Sequence, residues 1–163
     1  MDKNKQLLSL LTQDCRRTPK QLAAILGESE KEVKERISSL EEAGAIVKYS
    51  AILNDEMLDR DSVHAMIEVK VTPQKSKGFD AIAEEICRFP EVKSVYLISG
   101  DFDLAVFIDG KSLRSVSLFV SEKLSAIESV LSTATHFILK KYKIEGTITD
   151  REDENRVRLS VQA

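Results

Sequence analysis

Two short motifs, Thr18-Pro19-Lys20-Gln21 and Ser29-Glu30-Lys31-Glu32, constrain this chain more than any other part of it. Each has Ser or Thr followed three residues later by Glu or Gln, the reciprocal capping box that opens a helix. Pro19 falls in the first turn, where its missing N–H costs nothing. Leu22, Ala23, Ile25 and Leu26 then recur at helical spacing, and Gly27 is a stop. Only Gly27-Glu28-Ser29 joins this helix to the next, whose apolar face is Val33, Ile37 and Leu40 and whose end is Gly44. An amphipathic helix over about 3–14, marked by Leu7, Leu8, Leu10 and Leu11, precedes both. So short a joint forces the two helices to cross steeply and makes the second protrude, which is a helix-turn-helix. Ile46 to Leu53 is β-rich and is expected to form a small hairpin or strand, a wing.

A protruding helix of this length fits the major groove of B-DNA; the plain alternative is a helical subdomain with no ligand. At 100° per residue, the side opposite Ile37 carries Lys31, Glu35, Ser38 and Ser39, flanked by Lys34. Lysines and serines at these places can reach phosphate or base edges, and Glu35 can accept from cytosine or repel the backbone. Arg16, Arg17 and Lys20, before and within the second helix, are placed to hold phosphates. The same Lys/Glu alternation is also what a solvated helix with local ion pairs shows. Residues 1–53 hold nine Lys/Arg and eight Asp/Glu, net +1, whereas the remainder holds fifteen and nineteen, net −4. Any nucleic-acid surface must therefore be a local concentration of charge.

Asn54 to Ser62 is polar and acidic and reads as a linker. Val63 to Val71 alternates as a strand does, and Phe79, Ile82, Ala83, Ile86 and Phe89 mark a helix. Val92 to Ser99 and Asp103 to Ile108 are strands around a turn at Gly100-Asp101. Val116, Phe119, Val120, Leu124 and Ile127 mark a second helix, and Val130 to Ile144 is one long strand. The order βαβ, turn, βαβ is that of a ferredoxin-like sheet, with both helices on one face and the other face open to a second copy. The chain is thus α+β: a winged helix-turn-helix over 1–53, a linker over 54–62, a ferredoxin-like domain over 63–149, and a charged tail over 150–163 in which RVRLSVQ can add an edge strand.

No apolar run approaches a membrane span and the N-terminus has no signal-peptide pattern, so a cytoplasmic protein is expected. Cys15 and Cys87 are far apart and read as reduced thiols; two cysteines and two histidines, His64 and His136, make no zinc motif. No Ser/His/Asp set, phosphate-cradling loop or metal cluster is visible, and both histidines read as ordinary strand residues, so no catalytic residue, cofactor or metal is expected. Gly100-Asp101-Phe102-Asp103 is the one stretch that suggests chemistry. No third acid is adjacent to it, which argues against a metal. Gly100 permits the φ of a tight hairpin and Asp101 suits its corner.

The order of elements resembles that of the leucine-responsive/asparagine (Lrp/AsnC) transcriptional regulators, over nearly the whole chain. QLAAILGESEKEVKERISSLEEAGAI is similar to that family's helix-turn-helix, YSAILN to the segment after it, GDFD to its Gly-Asp-Tyr-Asp turn, and VLSTATHFILKKYK to its last strand. The resemblance implies sequence-specific binding to double-stranded DNA, and adds Ser29 and Arg36 to the DNA-facing set. It implies a homodimer built through the C-terminal sheets, often assembled into tetramers or octamers. It implies an effector, typically an amino acid, held between C-terminal domains near Gly100, Asp101, Phe102, Asp103, Thr133 and Thr135. The family often has Lys or Arg where Ser38 and Ser39 stand, fewer acids than Glu28, Glu30, Glu32 and Glu35, and Tyr where Phe102 stands. A ligand-independent DNA-coating regulator and a haem-pathway decarboxylase of the same architecture are the alternative readings.

Overall fold

The computed structural model describes residues 2–54, 62–72 and 78–149, and the chain divides into two compact units, 1–52 and 53–163. The tail over 150–163 and most of the 54–62 linker lie outside the described residues.

The first unit is three helices: α1 (Lys3–Gln13), α2 (Pro19–Leu26) and α3 (Glu30–Glu42). Both capping boxes form in full. Thr18 Oγ1 accepts from the Gln21 N–H while Gln21 accepts from the Thr18 N–H, and Ser29 and Glu32 repeat the exchange. Gly27 ends α2 at φ 67°, a left-handed conformation that suits glycine. Leu7, Leu11, Leu22, Ala23, Val33 and Leu40 form the core of this unit. The expected strand over 46–53 is absent: residues 47–54 take no hydrogen-bonded strand, and Val47, Tyr49, Ile52 and Leu53 are exposed. Alternating β-branched residues favour a pleat only when a partner strand supplies the ladder, and no described strand does so here. Tyr49 Oη donates to Glu41 Oε1 at 2.9 Å.

The second unit is built on an antiparallel sheet of order β2-β3-β1-β4, with β1 Val63–Val71, β2 Val92–Leu97, β3 Leu104–Gly110 and β4 Val130–Ile138. This is the expected ferredoxin-like order, with α4 (Gly78–Cys87) and α5 (Leu113–Leu118) as the crossovers. α5 runs on as a π-helical segment, Phe119–Leu124, with the Ser125 N–H bonded five residues back to Val120. One sheet face, Ala65, Ile67, Val69 and Val71 with Leu104, Val106 and Ile108, packs under Ile82, Ile86, Val116, Phe119 and Leu124. The register sets His64, Met66 and Glu68 beside Asp109, Phe107 and Ala105 on the other face, with Ala134 and His136 from β4. Tyr96 joins them, half exposed and edge-on to Phe107.

The long last strand is broken. β4 stops at Ile138, and a small hairpin of β5 (Lys143–Ile144) and β6 (Thr147–Ile148) follows, turning at Gly146 with φ 81°. The Asn54 side-chain amide donates to the Thr149 carbonyl at 3.1 Å, so two residues 95 apart in sequence lie side by side.

Candidate functional site

On α3 the outward side chains are Lys31, Lys34, Glu35, Ser38 and Ser39, all exposed. Each lysine has an acid one turn away: Lys34 Nζ lies 2.7 Å from Glu30 Oε1 and Lys31 Nζ 3.8 Å from Glu35 Oε1. The Lys34 ammonium holds the Glu30 carboxyl below its ordinary range. Both pairs are exposed to solvent and therefore weak, so a phosphate can take the lysines at small cost. Lys20 is exposed on α2. Arg16 is exposed but pairs with Asp14 at 3.1 Å, and Arg17 reaches the Leu10 carbonyl at 3.4 Å.

Two residues of the DNA-facing set have other tasks. Ser29 Oγ accepts the Glu32 N–H and lies 2.7 Å from Glu32 Oε2, so its hydroxyl closes the cap of α3. The Ser29 hydrogen bonds, side chain first and backbone second, hold the Glu32 carboxyl below its ordinary range. Arg36 turns inward. Its Nη2 donates to Glu28 Oε1 at 2.9 Å and its Nη1 to Asn4 Oδ1 at 2.9 Å. Glu28, in the turn between α2 and α3, has a side chain only 4% exposed and takes a second cation, Lys3, at 2.7 Å. The acids that crowd this motif therefore each have a structural partner: Glu28 binds α1 to α3, Glu32 caps α3, and Glu30 and Glu35 pair along it.

At the other candidate site, β2 and β3 are joined by a six-residue loop, Ile98 to Asp103, rather than by a tight hairpin. Gly100 is not at positive φ, and a Cβ on it would meet nothing closer than Ile98 Cγ2 at 3.7 Å, so the glycine is not required for the turn. Asp103 shapes the loop instead. Its carbonyl accepts the Ile98 N–H at 2.8 Å, its N–H donates to the Val69 carbonyl at 3.1 Å, and its Oδ2 accepts the Val71 N–H at 2.8 Å. Val71 lies two residues past the last β1–β3 pair, Val69 with Leu104, so no β3 carbonyl stands opposite its N–H and the Asp103 carboxylate satisfies it. Asp101 is exposed and Phe102 half-buried. Thr133 and Thr135 sit opposite Val69 and Ile67 on β4, and Val69 pairs on its other side with Leu104. The loop and the two threonines thus share one end of the sheet, separated by β1, roughly 10 Å at two strand spacings. Asp103→Ala should cost the second unit about 1–3 kcal/mol by orphaning the Val71 N–H, and Asp103→Asn, which keeps an acceptor, clearly less. Urea denaturation of the three proteins measures the difference; equal losses would remove this role.

Both histidines lie on strands, His64 on β1 and His136 on β4, and each faces a carboxylate. His64 Nδ1 lies 2.5 Å from Asp109 Oδ1, its opposite number on β3, and His136 Nε2 lies 3.1 Å from Glu68 Oε1. Ser62 Oγ is 3.5 Å from His64 Nε2, so Ser62, His64 and Asp109 come together after all. Ser62 and His64 share a strand face, but Asp109 is distant in sequence, and only the β1–β3 register reveals the set. Among the described residues no three His, Cys, Asp or Glu side chains converge on a point as a metal site requires, and no helix is long and apolar enough to cross a membrane.

Known proteins match the chain along both units. The model of the AsnC-type helix-turn-helix domain matches residues 2–41, and that of the Lrp/AsnC ligand binding domain matches 64–148. The HTH-type transcriptional regulator YugG of Bacillus subtilis is 45% identical over 156 residues, 95% of this chain and 94% of its own. The regulator FL11 of Pyrococcus furiosus is 31% identical over 142 residues, 87% of this chain and 91% of its own. Among solved structures, the L-methionine complex of a transcriptional regulator from Neisseria meningitidis superposes with a TM-score of 0.68 at 26% identity, over 88% of this chain and 92% of that one.

Proposed function

The chain belongs to the Lrp/AsnC family of DNA-binding transcriptional regulators, and from that premise we propose that it is an effector-responsive regulator, reading DNA with α3 and sensing an amino acid or related metabolite at the loop end of its sheet. The observation that carries the DNA half is the exposed, lysine-bearing face of a helix whose other side is fixed by a capping box and a buried ion network. Lys31, Lys34, Ser38 and Ser39 are the groups that meet DNA, with Lys20 and Arg16 on phosphates; Arg36 and Ser29 support α3 from behind. The effector half is supported by the matched ligand-binding domain and by the L-methionine held by the Neisseria relative. There the exposed groups of the loop, Asp101 and the backbone amides, with Thr133, are the ligand contacts, and Asp103 holds the loop in shape. A homodimer closes over the open sheet face, whose Tyr96, Phe107 and Met66 are the apolar part and whose His–carboxylate pairs are the polar part.

Binding to the protein's own promoter, followed by anisotropy, should exceed binding to a random duplex and fall steeply with salt. Lys31→Ala with Lys34→Ala should flatten the slope of log K against log salt by about 0.9 for each phosphate that no longer meets a lysine. An unchanged slope would take these lysines off the DNA. Calorimetry of the intact protein against the twenty amino acids tests the effector half, and no heat with any of them would leave a ligand-independent regulator.

A further inference from the structure

We propose that Glu35 is a base-reading residue of the DNA site, its carboxylate accepting the N4 amino group of a cytosine in the major groove. The inference rests on the DNA reading given above and deepens it by naming a base. Glu35 lies four residues after Lys31 and three before Ser38, on the ridge of α3 opposite buried Val33 and Leu40. A helix seated in the major groove turns that ridge to the base edges and its flanks, here Lys34 and Ser39, to the backbones.

The four acids of the turn and the first two turns of α3 are not held alike. Glu28, Glu30 and Glu32 each have an oxygen 2.7 Å from a partner, namely Lys3, Lys34 and Ser29. Glu35 stands 3.8 Å from Lys31, and the two side chains are 67% and 86% exposed. So loose a pair opens at small cost, and the lysine beside it offsets the repulsion between the carboxylate and the phosphates as α3 enters the groove. Once there, a carboxylate facing only acceptors would have lost its water without a replacement donor. The major groove offers two base donors, the adenine N6 and cytosine N4 amino groups. The unpaired N–H of adenine N6 points to the side of its own N7, so an approaching carboxylate also meets that lone pair. The unpaired N–H of cytosine N4 points to the side of C5–H, where no acceptor opposes it, and cytosine is therefore the base that Glu35 fits. Two copies of α3 in a dimer carry this preference into both halves of a palindromic site.

The test is selection of duplexes from a randomised pool by the full-length protein, with Glu35→Ala and Glu35→Gln beside wild type and circular dichroism to confirm that each folds. Wild type should select a palindrome with a C·G pair at one place in each half. Glu35→Ala should lose the preference at that place and keep the rest of the motif. Glu35→Gln should exchange the pair for A·T, whose adenine takes a glutamine through N6 and N7. In anisotropy titrations at fixed salt, replacing that C·G by T·A should weaken wild type roughly tenfold and Glu35→Ala less than about twofold. Replacing the cytosine by 5-methylcytosine, which crowds the side from which N4 is approached, should separate the two proteins in the same direction. A motif unchanged in both variants, or equal losses in wild type and Glu35→Ala, would overturn the assignment and leave the DNA reading standing. So would a uniform gain of affinity for all duplexes in Glu35→Ala with no change of motif, which is what relief of phosphate repulsion alone gives. A wild type that selects no motif would overturn both.

Discussion

Glu28→Ala should destabilise the N-terminal unit by about 3 kcal/mol, the lower end of what removing one member of a buried ion pair costs, because Lys3 on the far side is half exposed. The Glu28 side chain is 4% exposed and receives Lys3 and Arg36 on one oxygen. Without it the Arg36 guanidinium, only 28% exposed, keeps its charge and loses its anion. The loss should also reach DNA binding, since Asn4 and Lys3 of α1 and Arg36 of α3 meet through this group. Glu28→Gln keeps the shape and an acceptor but not the charge, and should fall between wild type and alanine. A double-mutant cycle with Arg36→Ala should show coupling of at least about 1 kcal/mol, because the second truncation removes a charge the first left stranded. Thermal unfolding followed by far-ultraviolet circular dichroism, with promoter affinity alongside, measures all five proteins. Additive losses would mean the network is incidental.

Ile86→Ala should cost the second unit about 4 kcal/mol. Ile86 is fully buried on α4 in the same core as Ile67, Val106 and Leu104, all inaccessible as well, so a close-packed surround can collapse only in part onto the space left behind. The two cores have no residue in common, so the α1–α3 core should keep its own stability. Backbone amide exchange resolves the units: protection in β1 and β3 should fall by roughly two to three orders of magnitude while protection in α2 stays. A uniform fall would show that the units unfold together.

Much of this was legible because short-range patterns carried it. The capping boxes at Thr18 and Ser29 specify helix starts within three residues, and the alternation of Ala65, Ile67, Val69 and Val71 specifies both a strand and its buried face. Long-range pairing was not legible. Arg36 joined the DNA-facing set through the family resemblance, and only the three-dimensional tie between α1, the turn and α3 shows that Glu28 and Asn4 hold it. Asp103 entered as an effector contact through the family resemblance, and its acceptor role at Val71 depends on where the β1–β3 pairing ends, which no local pattern encodes. The Ser62–His64–Asp109 cluster was hidden for the same reason. The wing failed in the opposite direction: residues 46–53 have the composition of a strand and lack a described partner for one.

The bond from Asn54 to Thr149 brings two points 95 residues apart in the second unit to one place. A chain whose new ends are cut into the 98–103 loop and whose old ends are joined by a short glycine-serine bridge would therefore keep every strand neighbour it has now. In such a permutant the helix-turn-helix could be attached at the loop end, beside the proposed effector contacts. That would change the point at which the helix-turn-helix joins the sensor, and would show whether the order of the chain or only the fold of the sheet carries the signal.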